Sequence, residues 1–588
     1  MTRDTATRGP EVLVLVVIMA MAAIQLGWLL GAIPLLEPDE GRYLDLPRQM
    51  VKSGDWVTPR LNGVLYFEKP PLHYWLTAVA IRVVGLNETA ARIWNVVLGF
   101  SGVLVVWGLA RRQGGAPAGL TAAAVLGSMP LWIGLARLAS LDMAVSLFIT
   151  LSLGCVWLAS RAAGGRRGRL FWWGAFASAA CAVLTKGLIG AVIPAAVAGL
   201  WILATRRWSL LRDVPWLSGG AIFLALAAPW HVLASLRNPD FAWFYFVHEH
   251  LLRYATPVAD RQEPWWFFGG VIVLGCSPWS GLLPAALGMA PGARTWRTLR
   301  EHSDTLFFAI WFIFILVFFS ASQSKLIPYV GPALPPLAVL MGLAVARGIA
   351  HPGTTSSLAR WGLAVGLLLV GSLGAILAAA GLGHVDQLGL SGTSTPWLVA
   401  AGAVIVALAI FAMMAVARSR TRAALVGATL VACVLNLSLA SLAPRLAEER
   451  SSRGTAEALR PHLADGDMVY SYRDYQESLP VYLEQPVGVV GAVGELGFGA
   501  SHLSPSERMR RFPSAEEFRS TWDSPARIWL AVGRNWRKKL AADRLEHYVV
   551  IWEGRTRALL SNHPLRSAVS KTRPADSVSA PPPDGVRP

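Results

Sequence analysis

Runs of about twenty apolar residues recur along most of this 588-residue chain, and they leave little choice of fold. A helix of that length spans the roughly 30 Å hydrocarbon core of a bilayer. Only helices and closed barrels satisfy their own backbone there. About 13 such runs fall at 11–33, 90–110, 116–136, 143–160, 170–185, 187–205, 215–235, 265–289, 304–321, 328–346, 361–381, 396–416 and 423–443. The chain is 54% apolar and only 15% charged, against about 25% charged in soluble domains, which fits an α-helical polytopic membrane protein. The first run has no small-residue cleavage site and is expected to be a retained helix. Cys155, Cys181, Cys276 and Cys433 all lie inside apolar runs and read as small core residues, not as a disulfide set or a metal site.

The net charge of +17 does not point to nucleic acid, because the bases sit in short loops at every second turn. They are Arg111 and Arg112; Arg161, Arg166, Arg167 and Arg169; Arg206, Arg207 and Arg212; Arg294, Arg297 and Arg300; Arg347 and Arg360; Arg418, Arg420 and Arg422. That side is expected to be cytoplasmic. The long loop 34–89 and everything after residue 443 then face outward. Pro70–Gly85, at about 16 residues, is short for a span and is expected to lie along the outer interface. Asp45–Ser53 is a second such helix, with Pro47 in its first turn and Gly54 as its stop. The expected organisation is a membrane domain at 1–443, an outer α/β domain at 444–570 and a disordered tail at 571–588. In the outer domain, strands are expected at 468–470, 528–532 and 548–552, and helices at 476–484 and 515–522.

Chemistry concentrates in loop 34–89. Glu37-Pro38-Asp39-Glu40-Gly41-Arg42-Tyr43 opens it, and Tyr66-Phe67-Glu68-Lys69-Pro70-Pro71-Leu72 follows. The pair Asp39 and Glu40 reads either as a solvated helix start or as a carboxylate that orients an acceptor or stabilises positive charge on a sugar. Lys69, stiffened by two prolines, is either a snorkelling side chain or a ligand for a phosphate leaving group. Lone bases on the base-poor side are not explained by orientation: Lys186, Lys325 near Tyr329, and Arg253. Arg42, Tyr43 and Tyr66 are neighbours from the same loop. His248 and His250 flank Glu249, a weak metal signal that also suits a wet interfacial loop. No Gly-rich phosphate loop follows a strand on the cytoplasmic side, which argues against a nucleotide cofactor or a nucleotide-sugar donor.

These motifs, with Gly54-Asp55-Trp56 between them and Ala91-Arg92 after, resemble the first outer loop of the ArnT-type aminoarabinose transferases. That family modifies lipid A and sits with protein O-mannosyltransferases in the GT-C clan. The resemblance extends more weakly over the first ten spans, and over the outer domain in placement only. It implies a GT-C fold with a C-terminal periplasmic α/β domain, and an inverting transfer from a polyprenyl phosphate. It implies Asp39 as the essential carboxylate, beside Glu40. Lys69, Arg253 and Tyr329 are implied as carrier-phosphate ligands, with Lys186 and Asp142 lining the cavity. A divalent ion such as zinc on Glu68 and His248 is a further implication. The expected function is transfer of 4-amino-4-deoxy-L-arabinose from undecaprenyl phosphate to lipid A, at the periplasmic face of a bacterial inner membrane, giving polymyxin resistance. The same chemistry on a protein, a polysaccharide or another lipid stays open. A polyprenyl-phosphate transporter fits less well, since no internal repeat is found and the charges cluster at one face.

Overall fold

The computed structural model describes residues 8–162, 164–252, 263–289, 296–351, 354–384, 395–464, 466–545 and 547–565. The chain forms two compact units. The first runs to Arg453 and takes back two later segments, Gln476–Pro486 and Gly494–Ser504. The second holds Gly454–Tyr475, Val487–Val493 and the chain from Pro505. The boundary therefore lies ten residues beyond the expected 443/444, because the last long helix continues to Glu448. The expected tail at 571–588 lies outside the described residues.

In the first unit, α1 (Arg8–Gly27) leads to α2 (Asp39–Ser53), a two-strand hairpin of β1 (Arg60–Leu61) and β2 (Val64–Leu65), and α3 (Leu72–Val84). Then come α4 (Glu88–Ser128), α5 (Pro130–Arg137), α6 (Leu141–Ser160), α7 (Gly165–Lys186), α8 (Ile189–Thr205) and α9 (Trp216–Arg237). The later spans are α10 (Ser303–Ser320), α11 (Leu334–Ala350), α12 (Thr354–Gly381), α13 (Pro396–Ala417) and α14 (Thr421–Glu448). Among the described residues, nine helices are long and apolar enough to cross a membrane, and a tenth is reached if Phe267–Gly275 and Trp279–Leu287, bent by 112°, form one span. About 13 is reached only by also counting α7, α8 and the two halves of α4. That helix is broken by non-helical dihedrals at Gly114 and Gly115, just before Pro117. The core is built around α11, in which every residue from Leu334 to Val345 is buried, an all-round apolar surface suited to the centre of a bundle.

Helix α2 starts six residues earlier than expected, at Asp39, so Pro47 lies in mid-helix and not in its first turn. Its stop is as expected: Gly54 has φ 72° and donates its N–H to Met50 O at 3.0 Å. Helix α3 has 13 residues, about 20 Å, too short to span hydrocarbon.

The second unit is a five-strand sheet ordered β4-β3-β5-β7-β6, from β3 (Met468–Tyr472), β4 (Gly488–Val490), β5 (Ile528–Val532), β6 (Val549–Glu553) and β7 (Ala558–Ser561). Strands β4, β3 and β5 are parallel, while β7 is antiparallel to both β5 and β6. Three of these strands are the expected ones; β4 and β7 are additional. Helix α15 (Ala515–Trp522) matches expectation and opens on a capping box between Ser514 and Glu517. The expected helix at 476–484 shrinks to Leu479–Leu483 and packs with the first unit.

The bent pair crosses α12 at very close range: a Cβ on Gly366 would collide with the Pro278 carbonyl, which is backbone and cannot yield. Gly366→Val is therefore expected to destabilise the membrane unit by about 1–3 kcal/mol. Gly371→Ala, whose Cβ meets only the Ala409 methyl at 3.4 Å, is expected to stay within about 0.5 kcal/mol of wild type in the same thermal unfolding series.

Candidate functional site

Asp39 and Glu40 occupy the first turn of α2, where free backbone amides favour carboxylates. The two side chains have opposite fates. Glu40 is 1% exposed. Its Oε1 accepts from Arg92 Nε and from Ala139 N, both at 2.8 Å, and its Oε2 accepts from Leu36 N at 2.9 Å. Arg92, fully buried in α4, donates further to Leu30 O at 2.8 Å, Ile33 O at 2.6 Å and Pro34 O at 3.0 Å. Arg137 continues the pattern with bonds to Gln25 O at 2.7 Å and Leu26 O at 3.0 Å, carbonyls of the last turn of α1. Glu40 is thus enclosed by protein donors, and these bonds tie down the loop that carries Asp39.

The Asp39 side chain is 57% exposed, with Arg42 Nη1 at 3.4 Å. Arg42 is buried, and its Nε lies 2.7 Å from Glu495 Oε2, on one of the two returning segments. The Arg42 guanidinium lies over the Tyr43 ring at 5.7 Å, and Tyr43 stacks on Tyr74 at 6.2 Å. Burial, followed by the charge of Asp39, pushes the Tyr43 phenol well up, so it stays a neutral donor at physiological pH. Tyr66 is raised in the same way, by burial first and then by Glu68.

A second charged centre adjoins this one. Asp142 sits in the first turn of α6 behind the cap of Ser140 and pairs with Lys186 at the end of α7. Lys186 Nζ lies 4.9 Å above the ring of Tyr329, which comes from the 3-10 turn Ile327–Ala333. Three expected residues from three elements thus converge, and the charge of Asp142 is felt at Tyr43. Lys325 is buried and donates to Ser322 O at 2.8 Å, within its own loop.

The third group holds Lys69. Its Nζ donates to Glu68 O at 2.9 Å and lies 3.7 Å from Glu249 Oε2. His248 Nδ1 is 3.2 Å from Glu249 Oε1, and its ring stacks on Phe244 at 5.1 Å. Arg253 lies outside the described residues. Among the described residues no three His, Cys, Asp or Glu side chains converge as a metal site. Glu68 and His248 are two donors at most, and His248 Nδ1 already faces Glu249. The described donors alone, Glu68 and His248, do not make up a coordination set for a divalent ion.

Sequence reasoning missed how the loop is held from the far end of the chain. Glu37 Oε1 accepts from Ser478 N at 3.0 Å, a residue 441 positions away, and from Ser452 Oγ at 2.6 Å. A Cβ on Gly41 would collide with the Glu477–Ser478 backbone, so only glycine allows this approach. A glycine inside a helix is the one local sign of a close neighbour.

Comparison with known proteins bears on both units. A family model described as dolichyl-phosphate-mannose-protein mannosyltransferase matches residues 68–233. Another, the aminoarabinose transferase C-terminal domain, matches 455–561. The chain is 39% identical over 315 residues to an undecaprenyl phosphate-alpha-4-amino-4-deoxy-L-arabinose arabinosyl transferase of Pseudomonas aeruginosa, and 31% identical over 359 residues to one of Erwinia tasmaniensis. It spans 55% and 63% of the length of these two relatives. The crystal structure of ArnT from Cupriavidus metallidurans bound to undecaprenyl phosphate superposes with a TM-score of 0.79 at 28% identity, covering 94% of this chain and 98% of that one. The apo form gives 0.78. The expected GT-C membrane fold and the expected C-terminal domain built on a sheet are thus both present.

The Glu40–Arg92 pair generates a stability prediction. Arg92→Leu leaves a buried carboxylate without its cation and is expected to cost about 3–5 kcal/mol. The double variant Glu40→Leu/Arg92→Leu should recover part of that loss, and thermal unfolding of the four proteins as a double-mutant cycle reads the coupling.

Proposed function

We propose that this ArnT-like chain is an inverting membrane glycosyltransferase that moves 4-amino-4-deoxy-L-arabinose from undecaprenyl phosphate to a phosphate of lipid A. The reaction takes place at the outer face of the bacterial inner membrane. The observation that carries the reading is the overlay on a transferase solved with undecaprenyl phosphate, joined to an exposed Asp39 set among Arg42, Tyr43 and the Asp142–Lys186 pair. The base-poor side of the membrane unit carries these groups, which supports an outward-facing site.

The acceptor phosphate oxygen attacks the anomeric carbon, and the bond to the carrier phosphate breaks with its electron pair staying on that phosphate. The acceptor is already an anion, so no strong base is required. Positive charge grows on the sugar ring and negative charge on the departing phosphate. Lys69 serves the departing phosphate as a charge-assisted donor, and Lys186 with Tyr329 lies ready for the same anion. Asp39 stabilises the developing positive charge and orients the sugar, and Arg42, gripped by Glu495, fixes the position of Asp39. A second reading, the same chemistry on a protein acceptor, is favoured by one observation only, the mannosyltransferase model over 68–233.

Asp39→Asn is expected to lower transfer by more than tenfold, about 1.4 kcal/mol or more of transition-state stabilisation, without lowering the amount of inserted protein. Complementation of a deletion strain, read by mass spectrometry of lipid A and by polymyxin sensitivity, checks this. If the aminoarabinose mass addition persists, the role of Asp39 fails. If lipid A is unchanged by the deletion while a glycosylated protein disappears, the acceptor assignment fails. Lys69→Met keeps the apolar stem and removes the charge. It is expected to weaken use of the polyprenyl-phosphate donor by about tenfold, and wild-type donor kinetics in that variant would remove Lys69 from the phosphate site.

A further inference from the structure

Helix α3 carries a group of buried polar side chains whose N and O atoms have no hydrogen-bond partner among the described residues. His73, Tyr74 and Thr77 are all 0% exposed. Among the described residues, His73 Nδ1 and Nε2, the Tyr74 hydroxyl and the Thr77 hydroxyl accept and donate no hydrogen bond. His73 and Thr77 are four residues apart and share one face of the helix. A buried threonine in a helix ordinarily bonds the carbonyl four residues back, as Thr150, Thr185, Thr205 and Thr429 do here. Thr77 does not, so its hydroxyl is left for another partner.

Orphaned polar atoms of this kind each cost roughly 1–3 kcal/mol and are rare in folded proteins. Four on two turns of one helix mark a place shaped for something other than stability. The place adjoins the site described above. The His73 ring meets the edge of Tyr43 at 6.2 Å, and the carboxylate of Asp142 acts on the imidazole. Burial pushes the pKa of His73 down to about 4 against the opposing pull of Asp142. The ring is then neutral at working pH, with one N–H donor and one lone pair. A neutral imidazole beside a free hydroxyl complements a hydroxylated ring and not a phosphate, which the cations Lys69 and Lys186 already suit.

We infer that His73 and Thr77 form a polar subsite that binds the hydroxyl groups of the transferred sugar. The subsite rests on the transferase reading above and deepens it. The carrier phosphate and the sugar are then held by different walls, the phosphate by cations and the sugar by neutral donors and acceptors from α3. Neutral recognition here avoids a fixed cation next to an anomeric centre that becomes positive.

The test uses the full-length protein and the variants His73→Phe, His73→Gln and Thr77→Val, assayed for transfer, for thermal stability and for binding of sugar-free undecaprenyl phosphate. His73→Phe keeps the ring and loses both nitrogens. With no hydrogen-bond partner to strand, it is expected to melt at or above the wild-type temperature, to bind undecaprenyl phosphate normally and to lose at least tenfold in transfer. His73→Gln, which keeps a donor and an acceptor, should restore part of that loss, and Thr77→Val should reproduce a smaller version of it. Wild-type transfer in both His73→Phe and Thr77→Val would overturn the subsite. So would a loss of stability or of carrier binding that matches the loss of transfer, the pattern expected if the groups hold only structural water. If the wild-type protein itself fails to use the aminoarabinose donor, the transferase reading falls instead, and the two failures are distinct.

Discussion

The Glu40–Arg92 ion pair is the interaction on which the rest of the site depends. It joins the first turn of α2 to the start of α4, and its remaining hydrogen bonds reach the loop after α1 and the α5–α6 junction. A charge buried at a membrane unit is tolerable only when paired and fully hydrogen-bonded. Here that demand is met by backbone groups drawn from separate parts of the chain. The pair also satisfies carbonyls left open after α1, a pattern that Arg137 continues one turn earlier. The long first loop, with its two helices and its hairpin, is thereby tied to the spanning helices.

Rigidity from that pair lets adjacent carboxylates divide the work. Glu40 holds the loop and Asp39, one residue earlier, is presented to solvent with Arg42 beside it. The returning segments complete the arrangement from the other end: Ser478 grips Glu37, and Glu495 grips Arg42. These segments interrupt the sheet of the second unit, leaving after β3 and again after β4. Part of the C-terminal domain's sequence thus belongs physically to the membrane unit.

Much of this is legible in the residues. Lys/Arg placement and the apolar runs mark the helices, since the bilayer imposes one length and one polarity rule. Gly54 and Gly85 mark helix ends that the structure keeps. The first-loop motif carries the family likeness, and Asp142, Lys186 and Tyr329, named from separate parts of the sequence, lie together. What stays hidden is long-range. Nothing local distinguishes Glu40 from Asp39, because the difference is a partner 52 residues away. Nothing in the segment around Glu495 announces Arg42 as its partner. The missing hydrogen bonds of His73 are visible only when the chain is folded. A proline ordinarily marks a first turn, but α2 keeps Pro47 in its interior, which is why the helix begins earlier than its sequence suggests. Strands β4 and β7 have three and four residues, too short to show an alternating pattern.

The central claim is that sugar passes from a polyprenyl phosphate to a lipid phosphate at the Asp39 loop. Purified protein in liposomes, given undecaprenyl-phosphate aminoarabinose and lipid A and read by mass spectrometry of both lipids, measures this directly. The account predicts aminoarabinose on lipid A and free undecaprenyl phosphate in equal amounts, with no added metal or nucleotide. Release of the carrier with unmodified lipid A, or no turnover of the donor, would contradict it.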